Sequence, residues 1–179
     1  MQRGVLVFLS ALVLASCAEG PAGLGGIAGS GYEPPLAAGI TFEARDFVWS
    51  TAKGDGSISG ALTYHQGATR FSCQGSDVLL TPETPWSRRR MIVLYGSASA
   101  AAAPVSIIRA RTPSAGAGDY ARFVRRTTCD SASHFNFNGL PNGSWFVITV
   151  GKSTEGAGEP VAVTRRVETH GGPINMSLP

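Results

Sequence analysis

The chain alternates between apolar and polar positions in short bursts separated by glycine and proline. Ile40, Phe42 and Ala44 alternate with Thr41, Glu43 and Arg45, and Phe47-Val48-Trp49 extends the run. Such period-2 alternation is the pattern of a half-buried strand. After the turn residues Lys53-Gly54-Asp55-Gly56, the segment Ser57 to Tyr64 alternates again, with Ile58, Gly60, Leu62 and Tyr64 on one face. Asp77 to Thr81, Met91 to Tyr95, Val105 to Arg109 and Tyr120 to Arg126 are further short candidates. His134 to Asn138 alternates strictly, then Ser144 to Val150, Pro160 to Thr169 and Ile174 to Leu178 close the chain. Short strands at roughly 8–12-residue spacing with turn signals between them predict an antiparallel sandwich or barrel. No amphipathic helix is expected. Gly96 to Pro104 and Thr112 to Asp119 read as loops, the first because its alanines are flanked by Gly, Ser and Pro.

Composition sharpens this picture. Of 179 residues, 23 are Gly and 11 are Pro, and only 15% are charged. That favours turns and strands over long helices, while 43% hydrophobic residues argue against a wholly disordered chain. Seven Gly, five Ala and three Pro are concentrated in the 22 residues Ala18 to Gly39. That segment cannot bury enough apolar surface to offset its ordering entropy, so a disordered tether is expected. A net charge of +3 is too small a basic excess to support nucleic-acid binding.

The N-terminus carries an address. Met1-Gln2-Arg3 is a short basic start, and Gly4 to Leu14 is a run of small and apolar residues too short to span a bilayer. Leu14-Ala15-Ser16-Cys17 resembles the lipobox of bacterial lipoproteins. The resemblance implies cleavage before Cys17 and acylation of Cys17, hence a membrane partner through the N-terminal lipid. Ala18 after the cysteine leans toward outer-membrane sorting in a Gram-negative envelope. The expected organisation is a signal peptide over 1–16, a lipidated cysteine and tether over 17–39, and a β-sandwich domain over 40–179.

With Cys17 assigned to lipid, Cys73 and Cys129 remain as an even pair in an oxidising compartment. A disulfide is the natural reading.

The same residues suggest a family. Gly56-Ser57-Ile58-Ser59-Gly60 resembles the opening strand of carboxypeptidase regulatory-like domains, and Val78-Leu79-Leu80-Thr81-Pro82 resembles a later strand. Phe135-Asn136-Phe137-Asn138-Gly139-Leu140-Pro141-Asn142-Gly143-Ser144-Trp145 is similar to the family's F-x-F-x-G-L-P-x-G-x-Y hairpin. The resemblance implies an all-β, seven-stranded antiparallel sandwich of the transthyretin (prealbumin) type. It also implies a folding or interaction module rather than an enzyme. Residues 83–133 are longer than that pattern allows, so extra strands or an elaborated hairpin are expected there.

Candidate chemistry is sparse. Ser50-Thr51-Ala52-Lys53 has the spacing of a serine–lysine acyl-transfer pair but lacks its partner triplets. His65, His134 and His170 stand in no zinc-ligand spacing, so no metal and no cofactor are expected. Trp86 beside Arg88, Arg89 and Arg90 is the one cluster suited to an anionic glycan or lipopolysaccharide, the tryptophan for stacking and the guanidiniums for phosphate. The expected protein is thus a non-enzymatic cell-envelope lipoprotein acting as an interaction or structural module. Its partner would be an unidentified envelope protein or a glycan, not nucleic acid. A glycan- or lipopolysaccharide-binding role for the Trp86–Arg90 cluster stands as the alternative.

Overall fold

The computed structural model describes residues 41–113 and 118–179. Cys17, the signal peptide and the expected tether lie outside the described residues. The described part is a β-sandwich. Its strands are β1 (Gly56–Leu62), β2 (His65–Gln66), β3 (Thr69–Ser72), β4 (Asp77–Pro82), β5 (Ala100–Pro104), β6 (Arg125–Thr128), β7 (His134–Leu140), β8 (Gly143–Ser153), β9 (Val161–Thr169) and β10 (Pro173–Leu178).

One sheet has three strands in the order β10-β1-β7, with β1 parallel to β10 and antiparallel to β7. The other has seven strands built around β8. Along one side of β8 runs β9, which also pairs β5, and along the other run β4 and then β3. β6 extends β4, and β2 extends β3.

The two inner faces form the core. Ile58, Leu62, Phe135, Phe137 and Leu178 come from the small sheet, and Val78, Leu80, Trp145, Val147 and Val163 from the large one. Phe135 and Phe137 share a face, and Leu140 and Trp145 are fully buried, as the hairpin pattern predicts. Gly139 at the turn adopts φ +66°, a left-handed conformation that favours glycine. Trp145 donates its indole N–H to Thr169 Oγ1 at 3.2 Å, and the edge of Trp49 packs on its ring at 4.9 Å.

Cys73 and Cys129 form a disulfide with Cα atoms 5.7 Å apart, and both are buried. It joins the segment after β3 to the segment after β6, where the Cys129 N–H also donates to Ser76 O at 3.0 Å.

Residues 83–133 do add strands, β5 and β6, but they also contain two helices that the sequence reading did not expect. Met91 to Tyr95 is not a strand: it ends helix α1 (Pro85–Tyr95). Thr84 caps that helix in a reciprocal box with Ser87, Pro85 occupies its start, and Gly96 ends it at φ +77°. Its buried residues are Ser87, Arg90, Met91 and Leu94, an i, i+3, i+4, i+7 stripe. Half of that stripe is polar, which hid the period. Val105 to Arg109 likewise lies in helix α2 (Val105–Arg111), with no buried residue. The alanine segment read as a loop is strand β5, recruited by pairing with β9 rather than by propensity.

Ala44–Thr51 forms a 3-10 helix instead of a strand, burying Phe47 and Ser50 at i and i+3. Tyr120 to Arg126 divides between a 3-10 helix (Gly118–Phe123) and β6. The two 3-10 segments meet through Phe47 and Phe123, whose rings stack at 5.3 Å.

Candidate functional site

The cluster singled out in the sequence does not form one exposed patch. Trp86 is half-buried among Phe42, Phe47 and Tyr120, with ring centroids 5.1–6.1 Å away. Arg90 is 9% exposed and lies 5.5 Å from the rings of both Trp86 and Tyr120. Its guanidinium therefore spends its π contacts inside the protein. Arg88 is exposed but bonded to Glu83 at 2.7 Å, and Glu83 also holds Arg166. Arg89 is half-buried. Trp86 and Arg90 thus stitch α1 to the aromatic cluster, and Arg88 ties it through Glu83 to β9.

The Ser50 hydroxyl is buried and donates to Phe47 O at 2.7 Å, so it has no lysine partner. His65, His134 and His170 are exposed. Among the described residues no group of three or more His, Cys, Asp or Glu side chains converges on a metal position.

A different surface is built for binding. Because Ile58, Phe135 and Phe137 face the core, strand alternation turns Ser59, Ala61, His134, Asn136 and Asn138 outward. The register sets Ser59 beside both Asn136 and Asn175, and Ala61 beside His134. The result is a row of hydroxyl and amide groups across all three strands. Asn136 Nδ2 donates to Ser59 Oγ at 2.7 Å, and Asn138 Nδ2 donates to Asn136 Oδ1. The Asn175 side chain makes no hydrogen bond to another described residue and is exposed.

This row floors a groove of about 600 Å³, walled by Thr127, Thr128 and Asp130. Ala61 is the apolar side chain on this outer face, while Phe135 and Met176 lie on the core side beneath it. Gly60 makes the close packing beneath it: a Cβ there would lie 2.5 Å from Phe135 Cζ and 2.9 Å from Met176 O.

Asp130 holds the groove's near wall. Its carboxylate accepts the backbone N–H groups of Ala132 at 2.9 Å and His134 at 2.8 Å. The His134 backbone bond, aided by that from Ala132, holds the Asp130 carboxyl below the usual carboxylate range. The His134 ring stands 3.7 Å from the same carboxylate. No lysine or arginine lines this groove.

Its chemistry is that of a polar amide and hydroxyl surface bordered by one carboxylate. Each asparagine amide offers both donors and acceptors, and each hydroxyl offers either. The Ala61 methyl lies among them. The arrangement matches a ligand with dense hydroxyls and exposed C–H faces, and it offers no cationic site for phosphate. The sequence reading missed this row, although placing Phe135 and Phe137 on one face already required Asn136 and Asn138 on the other.

No protein-family model and no curated protein matches the chain. Among solved structures, it is similar to a "putative carbohydrate binding protein" from Pseudomonas aeruginosa. The identity is 22% and the TM-score 0.53, over 78% of this chain and 97% of that one. At this identity the likeness supports the sandwich fold alone.

Proposed function

We propose that the protein is a non-enzymatic, lipid-anchored module of the bacterial envelope that binds a neutral glycan across the three-stranded sheet. The observation that carries this reading is the groove of Ser59, Asn136, Asn175 and Asp130. It has closely spaced hydroxyl and amide donors and acceptors with the Ala61 methyl among them, the Asp130 carboxylate at its wall, and no lysine or arginine. The similarity to a structure described as a carbohydrate-binding candidate points the same way. The lipobox supports the anchorage, and the domain resemblance supports a binding module without turnover.

This reading moves the ligand away from Trp86 and Arg88 to Arg90; the side chains of Trp86, Arg88 and Arg90 hold α1 in place. It also changes the ligand class from polyanion to neutral sugar. The test is a glycan array followed by calorimetry on the best binder. Asn136→Ala and Asn175→Ala should each weaken binding about fivefold, the worth of one hydrogen bond of about 1 kcal/mol. Added salt should change the affinity little. Salt-sensitive binding lost on Arg88→Ser or Arg89→Ser, and kept by the asparagine variants, overturns the assignment. Membrane partition lost in Cys17→Ser is the matching check on the anchor.

A further inference from the structure

We propose that the free edge of β5 pairs with the same edge of a second copy of this chain, joining two seven-stranded sheets across a two-fold axis. β5 pairs β9 on one side and no described strand on the other. Its hydrogen-bond parity is fixed by a bond at each end. Arg166 N–H donates to Ser99 O, and Val105 N–H donates to Pro160 O. In that antiparallel register, Ala101 faces Thr164 and Ala103 faces Ala162. Residues 99, 101, 103 and 105 therefore exchange bonds with β9, and residues 100, 102 and 104 turn their backbone groups away.

Pro104 agrees with this parity, because a proline inside a strand must stand where no donor is needed. Its carbonyl serves as the N-cap of α2. The outward edge thus consists of the N–H and C=O of Ala100 and Ala102. Pairing Ala100 with Ala102 of a second copy, and Ala102 with its Ala100, uses all four groups on each chain. The two-fold axis then passes beside Ala101.

Apart from Pro104 at its end, the edge lacks the usual guards. It has no lysine, no arginine and no bulge within Ala100–Pro104, whereas β6, at the other end of the same sheet, carries Arg125 and Arg126. A foreign strand is the weaker candidate, because edge recognition draws specificity from side-chain pockets and β5 presents only methyl groups. A second copy meets the same four groups in one register, and two-fold association is the commonest symmetry. The nearest β9 charge, Arg165 opposite Ala100, is no obstacle. Its symmetry mate would lie about three strand spacings away, roughly 14 Å, beyond the screening length of about 8 Å.

The test is sedimentation of the full-length chain over a concentration series. Wild type should sediment as a dimer at high concentration. Ala100→Pro deletes the outward donor on both copies, and Ala100→Lys installs an edge charge; Ala100 is exposed, so neither enters the core. Loss of two hydrogen bonds should raise the dimer dissociation constant about thirtyfold. Near-ultraviolet circular dichroism should stay native. If Ala100→Pro unfolds the domain, Ala100→Lys decides. Wild type that stays monomeric throughout, or folded variants that dimerise as wild type does, overturns the proposal.

Discussion

Replacing both Cys73 and Cys129 by alanine should lower stability by about 4 kcal/mol without changing the fold. The bond spans 56 residues. Chain-entropy reasoning for a closed loop of that length gives about 14 cal/mol/K, or about 4 kcal/mol at room temperature. The span covers β4, both α-helices, β5 and β6, so the unbridged chain regains freedom over more than a third of the described domain. The native ends stay held by β4–β6 pairing and by the bond from Cys129 N–H to Ser76 O, so the sandwich should still form. At about 4 °C per kcal/mol for a domain of this size, the melting midpoint should fall by roughly 15 °C. Urea unfolding of the double variant against the oxidised wild type measures the difference directly. A loss below about 1 kcal/mol would refute the reasoning, because it would mean that the unfolded chain gains no freedom when the bridge is removed.

Phe47→Ala should cost about 3–5 kcal/mol in the same assay, since the side chain is fully buried against Phe123, Trp86 and Phe42; a cost under about 1 kcal/mol would show that this cluster is not part of the cooperative unit. Gly60→Val should destabilise by about 1–3 kcal/mol, because its side chain would collide with Phe135 and the Met176 carbonyl; unchanged stability would contradict the close packing under the groove. Burial pushes the Tyr95 hydroxyl from 10.0 up to about 12. Its folded value is the higher one, so its contribution is complete below pH 10.0 and is lost as pH rises through about 12. Tyrosinate absorbance should therefore show a late-titrating component that Tyr95→Phe removes. Asp130 has the opposite sign: its depressed carboxyl stabilises the 130–134 turn above the ordinary value of 3.8 and loses that contribution as pH falls further. The protection of the Ala132 and His134 N–H groups from hydrogen exchange, taken relative to the intrinsic rate at each pH, should fall in acid, and Asp130→Ala should remove that fall.

Much of the sandwich was legible in the sequence because its strands alternate against a single core. The segments read as Ser57 to Tyr64, Asp77 to Thr81, His134 to Asn138, Ser144 to Val150, Pro160 to Thr169 and Ile174 to Leu178 all overlap observed strands. The disulfide was legible from cysteine parity and compartment. The helix α1 was not, because Ser87 and Arg90 occupy half of its buried stripe. Their polarity is satisfied locally, Ser87 by its cap and Arg90 by two aromatic rings, and neither partner is visible as a period. The capping signal Thr84-Pro85-Trp86-Ser87 and the stop at Gly96 were present in the sequence and could have marked the helix. β5 was illegible in principle, since four alanines and a proline have no strand pattern until β9 supplies a partner. Charge drew the site reading toward Arg88 to Arg90, where pairing with Glu83 and burial consume it. The groove depends on register between β1, β7 and β10, separated by many residues, which composition cannot reveal.

The most direct measurement is an NMR titration of the full-length chain with a neutral oligosaccharide selected on the array. Amide shifts should cluster at Ser59 to Ala61, Asp130 to Asn136 and Asn175 to Met176, and in Asn136→Ala should need about fivefold more sugar to saturate. Shifts confined instead to Trp86 through Arg90, or no shift with any array-positive sugar, would contradict binding on the three-stranded sheet.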